Sequence, residues 1–98
     1  MIQKDQKTIM FLKPILWDTK ITPEETITLL NNPSLTIKGL TINDIYLKLL
    51  TSYSWYKLLN IFGKDYIISN MLKDEIIQKL FPKQLKLRYE YVKRTLLQ

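Results

Sequence analysis

The side chains that most often move protons or hold metals are missing from this chain. Its 98 residues include no histidine and no cysteine. Without cysteine there is no disulfide, no thiolate ligand and no thiol nucleophile. Without histidine there is no general base poised near neutral pH. Carboxylates remain, but the adjacent pair Asp74-Glu75 cannot converge, because neighbours on a helix do not face each other. Asp18, Asp44 and Asp65 are placed like caps or turn residues. There is no glycine-rich phosphate loop and no nucleophile–base constellation. These residues predict a protein that is not an enzyme, with no catalytic, cofactor-binding or metal-binding residue.

Contact chemistry is a different matter. Lysine and arginine total 15 and the acids 9, a net charge of +6. Residues 79–98 carry Lys79, Lys83, Lys86, Arg88, Lys93 and Arg94 against Glu90 alone, a net of +5. Such an imbalance points to an anionic partner: nucleic acid, an acidic protein face or phospholipid. Alanine is absent and lysine far outnumbers arginine. A low-GC genome would produce that bias by itself, so a solvated basic face is the plain structural alternative.

At about 100° per residue, with Lys83 at 0°, Leu85, Tyr89, Val92 and Leu96 fall in one stripe that predicts the core face. Lys86, Glu90, Lys93 and Arg94 gather on another, and Leu87 and Tyr91 lie beside that basic stripe. Lys83, Lys86, Lys93, Arg94 and Tyr91 are therefore the candidate contacts for phosphates or an acidic protein. A basic amphipathic helix also suits a membrane surface, but a small core needs Tyr89, Val92 and Leu96.

A second candidate lies in residues 55–73, "WYKLLNIFGKDYIISNMLK". Two short apolar helices joined at a glycine have the outline of a helix-turn-helix. Its second helix would offer Lys64, Tyr66, Ser69, Asn70 and Lys73. Asn70 could pair with adenine, and Lys73 could reach phosphate or guanine. Two ordinarily packed helices give the same pattern.

The elements that must position these residues are predicted as all-α, about five short helices after an extended N-terminal arm, in one domain over residues 1–98. Residues 1–7 read as polar and disordered. Residues 8–17, interrupted by Pro14, read as an extended arm or edge strand, anchored by Phe11 and Trp17. Thr22, Pro23 and Glu25 form a capping-box start, and Asn31-Asn32-Pro33 ends that helix. Thr41 and Asp44 start the next, whose Ile42, Ile45, Tyr46, Leu49 and Leu50 make an apolar stripe. Ser52 or Ser54 caps a third, with Trp55, Leu58, Leu59 and Phe62 inward and Gly63 as its left-handed terminator. Asp65 caps a fourth, with Ile68, Leu72, Ile76 and Leu80 at i+4 spacing, Met71 and Ile77 beside them, and a break near Lys73–Asp74. Pro82 starts the last. The longest apolar stretch is broken by Lys13 and Pro14 and falls short of the ~18–20 residues of a membrane span. No signal-peptide cleavage site follows it, so the expected location is cytoplasmic.

Two stretches also invite comparison with a family. "ILWD" at 15–18 and "WYKLLNIFGKDYIISNML" at 55–72 resemble a family of small bacterial antitoxins cognate to abortive-infection nucleotidyltransferase toxins. That family has an apolar-Trp-Asp start and a Leu-Leu-x-x-Tyr-Gly core. Ile61-Phe62-Gly63 stands here where Tyr-Gly is expected, and the basic last helix lies outside the resemblance. The resemblance implies a small cytoplasmic protein that works by occupying a toxin or an operator, not by catalysis. It transfers no binding residue.

Three functions thus remain open. The leading one is a non-catalytic helical binding protein, antitoxin-like or regulatory, with a protein partner and with nucleic acid as a further ligand. The second is a helix-turn-helix transcriptional regulator. The third is a phage-encoded inhibitor of a host complex. Tyr53, Tyr56, Leu87 and Tyr91 would suit an interface.

Overall fold

The computed structural model describes residues 2–96, the last by its backbone alone. It is all-α. Its helices are α1 (Gln6–Leu12), α2 (Pro23–Asn31), α3 (Ile42–Ser52), α4 (Trp55–Phe62), α5 (Lys64–Tyr66), α6 (Asp74–Ile77) and α7 (Lys83–Leu96). A 3-10 turn spans Lys13–Ile15, and α5 runs on into a π turn over Ile67–Met71. The chain divides into two compact units, Met1–Ile45 and Tyr46–Gln98.

The first unit differs from its expected extended arm. Asp5 accepts a hydrogen bond from the Thr8 amide at 2.8 Å and caps α1. Those bonds, above all from Thr8, hold the Asp5 carboxyl below its ordinary range. Thr8, Leu12 and Ile15 recur at i, i+4 and i+7, and all three are buried, which is a helical repeat and not a strand repeat. Pro14 enters the 3-10 turn at its start, where a missing N–H is tolerated. It ends α1 without preventing it. Trp17 does not anchor this segment: it is 84% exposed, while Leu16 and Ile21 are buried. Nor is the beginning of the chain wholly loose. Asn31 accepts from the Ile2 amide at 2.9 Å and donates to the Ile2 carbonyl at 2.8 Å.

Helix α2 starts as its sequence requires. The Glu25 amide donates to Thr22 Oγ1 at 3.1 Å, and the Thr22 amide donates to Glu25 Oε1 at 3.0 Å. Thr26, Ile27, Leu29 and Leu30 are its buried face. Between α2 and α3, Lys38 and Gly39 take φ of 52° and 81°, and Ile37 and Leu40 exchange both backbone hydrogen bonds. Two successive positive φ values mark a type I′ turn. Lys38 Nζ then donates to the Lys20 carbonyl and to Glu25 Oε1, each at 2.9 Å. The Lys38 ammonium, followed by the Thr22 amide, holds the Glu25 carboxyl below its usual value.

The unit boundary falls inside α3. The Thr41 amide donates to Asp44 Oδ2 at 2.9 Å at its start. Ile42, Ile45, Tyr46, Leu49 and Leu50 are all buried, the full predicted stripe. In the second unit Ser54 caps α4 by accepting from the Lys57 amide. Leu58 and Phe62 are buried. Gly63 closes α4 through its amide to the Leu59 carbonyl at 3.0 Å. Its φ of 82° is positive as expected, but ψ is 155°. That region is open essentially to glycine alone, and it is not the left-handed helical one.

Asp65 is not the cap of α5; Gly63 holds that position without a side-chain bond. The Leu72 amide then reaches back five residues to the Ile67 carbonyl at 3.0 Å. This wide turn shifts the register, so Ile67, Met71 and Leu72 are buried and Ile68 is only half-buried. The chain breaks at Lys73 as predicted, and α6 places Ile76 and Ile77 inside.

Candidate functional site

Helix α7 carries the strongest concentration of charge, and the packing of the second unit decides which side chains it offers. Tyr89 is buried at 2% exposure and Leu85 and Val92 are half-buried. Burial pushes the Tyr89 hydroxyl above its ordinary range. Leu96, the fourth member of the expected core stripe, has a side chain outside the described residues.

The predicted basic stripe is split by this packing. Lys93, half-buried, turns toward α6 and donates to Asp74 Oδ1 at 2.7 Å. Asp74, Ile77, Gln78, Glu90, Lys93 and Arg94 line an open groove of about 470 Å³ between α6 and α7. Lys86 and Glu90 are half-buried. Lys83 and Arg94 are exposed, as is Arg88. Between them stand Leu87, 51% exposed, and Tyr91, 61% exposed. By helical angle, Lys83 and Arg94 flank these two on one side and Arg88 flanks them on the other. The outward face of α7 is thus an apolar pair set among three cations. Arg88 lies outside the basic stripe expected from the sequence, yet it is exposed on this face. At about 140° on the same count it stands between Tyr91 and the edge of the core stripe at Val92.

Residues 64–73 form a different picture. The Asn70 amide donates to the Tyr66 carbonyl at 3.0 Å, so its donor is turned back along its own helix and away from any base edge. The Tyr66 hydroxyl pairs with the Tyr46 hydroxyl at 2.9 Å. The Tyr66 ring stacks on Phe62 with centroids 5.4 Å apart. Burial, reinforced by Tyr66, raises the Tyr46 hydroxyl far above its ordinary value of 10.0. Tyr66 is raised by burial as well. Lys64, Ser69 and Lys73 are exposed. Asn70 and Tyr66 thus serve the packing of the second unit, while Lys73 is exposed and directly precedes Asp74, the partner of Lys93.

Of the tyrosines suggested for an interface, Tyr56 is 81% exposed. Tyr53 is half-buried, with Lys57 Nζ 5.5 Å from its ring centroid. Among the described residues no three acidic side chains gather as a metal-ligand set, and no helix is long and apolar enough to cross a membrane. Comparison of the chain with protein-family models, with curated proteins and with solved structures finds no match in any of the three.

Proposed function

We propose that this chain is a non-catalytic binding protein that engages a protein partner through the outward face of α7. The observation that supports this most is the exposure of Leu87 and Tyr91 between Lys83, Arg88 and Arg94. An apolar pair in a charged rim has the composition of an interface centre and its border. The antitoxin-like reading belongs to this proposal: a protein that masks another protein needs a surface and no proton-shuttling side chain. The chain's lack of histidine and cysteine accords with it.

The test is affinity capture from the cells that express the chain, with wild type beside a Lys83→Gln, Arg88→Gln, Arg94→Gln triple variant. A stoichiometric protein retained by wild type and lost from the variant supports the proposal. A partner held equally by both removes α7 from it. The DNA-binding alternative has its own measurement, a mobility shift of duplex at about 50 mM salt. Affinity should then fall by about 0.9 log units per log unit of salt for each phosphate neutralised.

A further inference from the structure

We infer that the partner of α7 is an acidic amphipathic helix, laid along the seam Gln84, Leu87, Tyr91 and Arg94. This rests on the proposal that α7 is the binding face. The four positions are separated by three, four and three residues, the spacing of a helix-pairing seam. Gln84, Leu87, Tyr91 and Arg94 are all exposed, and the buried Tyr89 lies on the opposite side of the helix. The seam is therefore available while α7 keeps its own packing.

Lys83 and Arg88 occupy the positions that border such a seam, where charged side chains select the opposite helix. Both are cations, while the half-buried Glu90 and the exposed Thr95 hold the same bordering positions seven residues on, so the fitting helix presents carboxylates opposite Lys83 and Arg88 and apolar side chains opposite Leu87 and Tyr91. From Lys83 to Arg94 the face extends about 16 Å at 1.5 Å per residue, which a partner helix of three turns covers.

A second copy of the same helix does not meet these demands. It carries a single carboxylate, Glu90, beside Lys83, Lys86, Arg88, Lys93 and Arg94, and laid parallel it would set Lys83 against Arg88 and Arg94 against Arg94, like charges that repel. Nucleic acid is a poorer fit for a separate reason. Leu87 stands in the middle of the face, and an aliphatic side chain gains nothing against a phosphate while the cations around it close on the backbone.

The experiment uses the full chain and three fluorescein-labelled probes at about 50 mM salt. The first is a three-heptad peptide with Leu in the seam and Glu on both borders. The second replaces each Leu by Gln at the same charge. The third is a 20-base-pair DNA duplex. Binding of the Leu/Glu peptide alone, weakened roughly tenfold by Leu87→Ser and again by Arg88→Gln, is the expected result. Both substitutions are at exposed positions, and circular dichroism checks their fold. Amide shift changes in wild type should centre on residues 83–94.

Equal binding of the two peptides would overturn the inference, because charge alone would then explain it. So would failure of the Leu/Glu peptide to bind, or preference for the duplex. If the peptide fails while cellular capture still loses its partner on α7 substitution, the helical mode is wrong and the binding face stands. If capture is also indifferent to α7, the proposal beneath it falls too.

Discussion

Gly63 offers a sharp test of the local structure. Its φ of 82° and ψ of 155° place it in a region that costs a residue with a Cβ about 1–3 kcal/mol. A Cβ built there meets nothing within 4 Å, so Gly63→Ala adds backbone strain without a steric clash. The smaller conformational freedom of alanine in the unfolded chain returns about 0.4–1 kcal/mol. The expected net loss is about 1–2 kcal/mol. With a urea slope of about 1–1.5 kcal/mol/M for a small protein, the denaturation midpoint moves down by about 1 M, read by circular dichroism at 222 nm. Gly63→Asn separates two geometries. Asparagine tolerates the left-handed helical region but gains nothing at ψ near 155°, so it should cost as much as alanine. At Gly39, in a type I′ turn, asparagine should be mild by comparison. An unchanged midpoint for Gly63→Ala, or recovery with Gly63→Asn, would refute the assigned geometry.

Three further outcomes follow from the packing. Tyr46 has a raised folded-state pKa, so its stabilising contribution is complete below about pH 10, the ordinary tyrosine value, and lost as pH rises beyond it; wild type should lose stability above pH 10 more steeply than Tyr46→Phe, measured by urea midpoints at successive pH values. Leu49→Ala removes a side chain with no exposed surface and should cost about 2–5 kcal/mol in equilibrium unfolding. Asn31→Ala frees the Ile2 amide from its acceptor, and hydrogen exchange at that amide should accelerate to the rate of an open chain while amides within α3 keep their protection.

Three of the helix starts were legible because capping chemistry is local. Thr22 with Glu25, Thr41 with Asp44, and Ser54 each act within four residues, and the structure uses all three. The α3 stripe was legible because five apolar residues repeated without a competing pattern. Residues 8–17 were not, because a proline inside an apolar run reads as a breaker of the whole segment, whereas Pro14 only ends α1, and the cap that starts α1 is Asp5 in a polar stretch. The π turn was invisible because hydrophobic periodicity presumes a constant angle per residue, and Ile67 replaced Ile68 inside once that angle changed. For α7 the core residue Tyr89 and the outward placing of Lys83 and Arg94 were readable from angle alone, whereas angle left Leu87 and Tyr91 open between an exposed face and packing on a neighbour. The fate of Lys93 was not, since it depends on Asp74, nineteen residues away.

The wide turn at Ile67–Met71 has a bearing on insertions and deletions in this chain. Such a turn holds one residue more than regular helix needs for the same advance. Deleting Ser69, which is exposed, would let the segment relax into ordinary helix with no ladder bond lost. The residues on either side would keep their present faces. The same deletion one helix earlier, within α4, would rotate everything beyond it by about 100° and carry Phe62 out of the interior. Length variation should therefore be tolerated at this one point of the second unit and punished in its other helices.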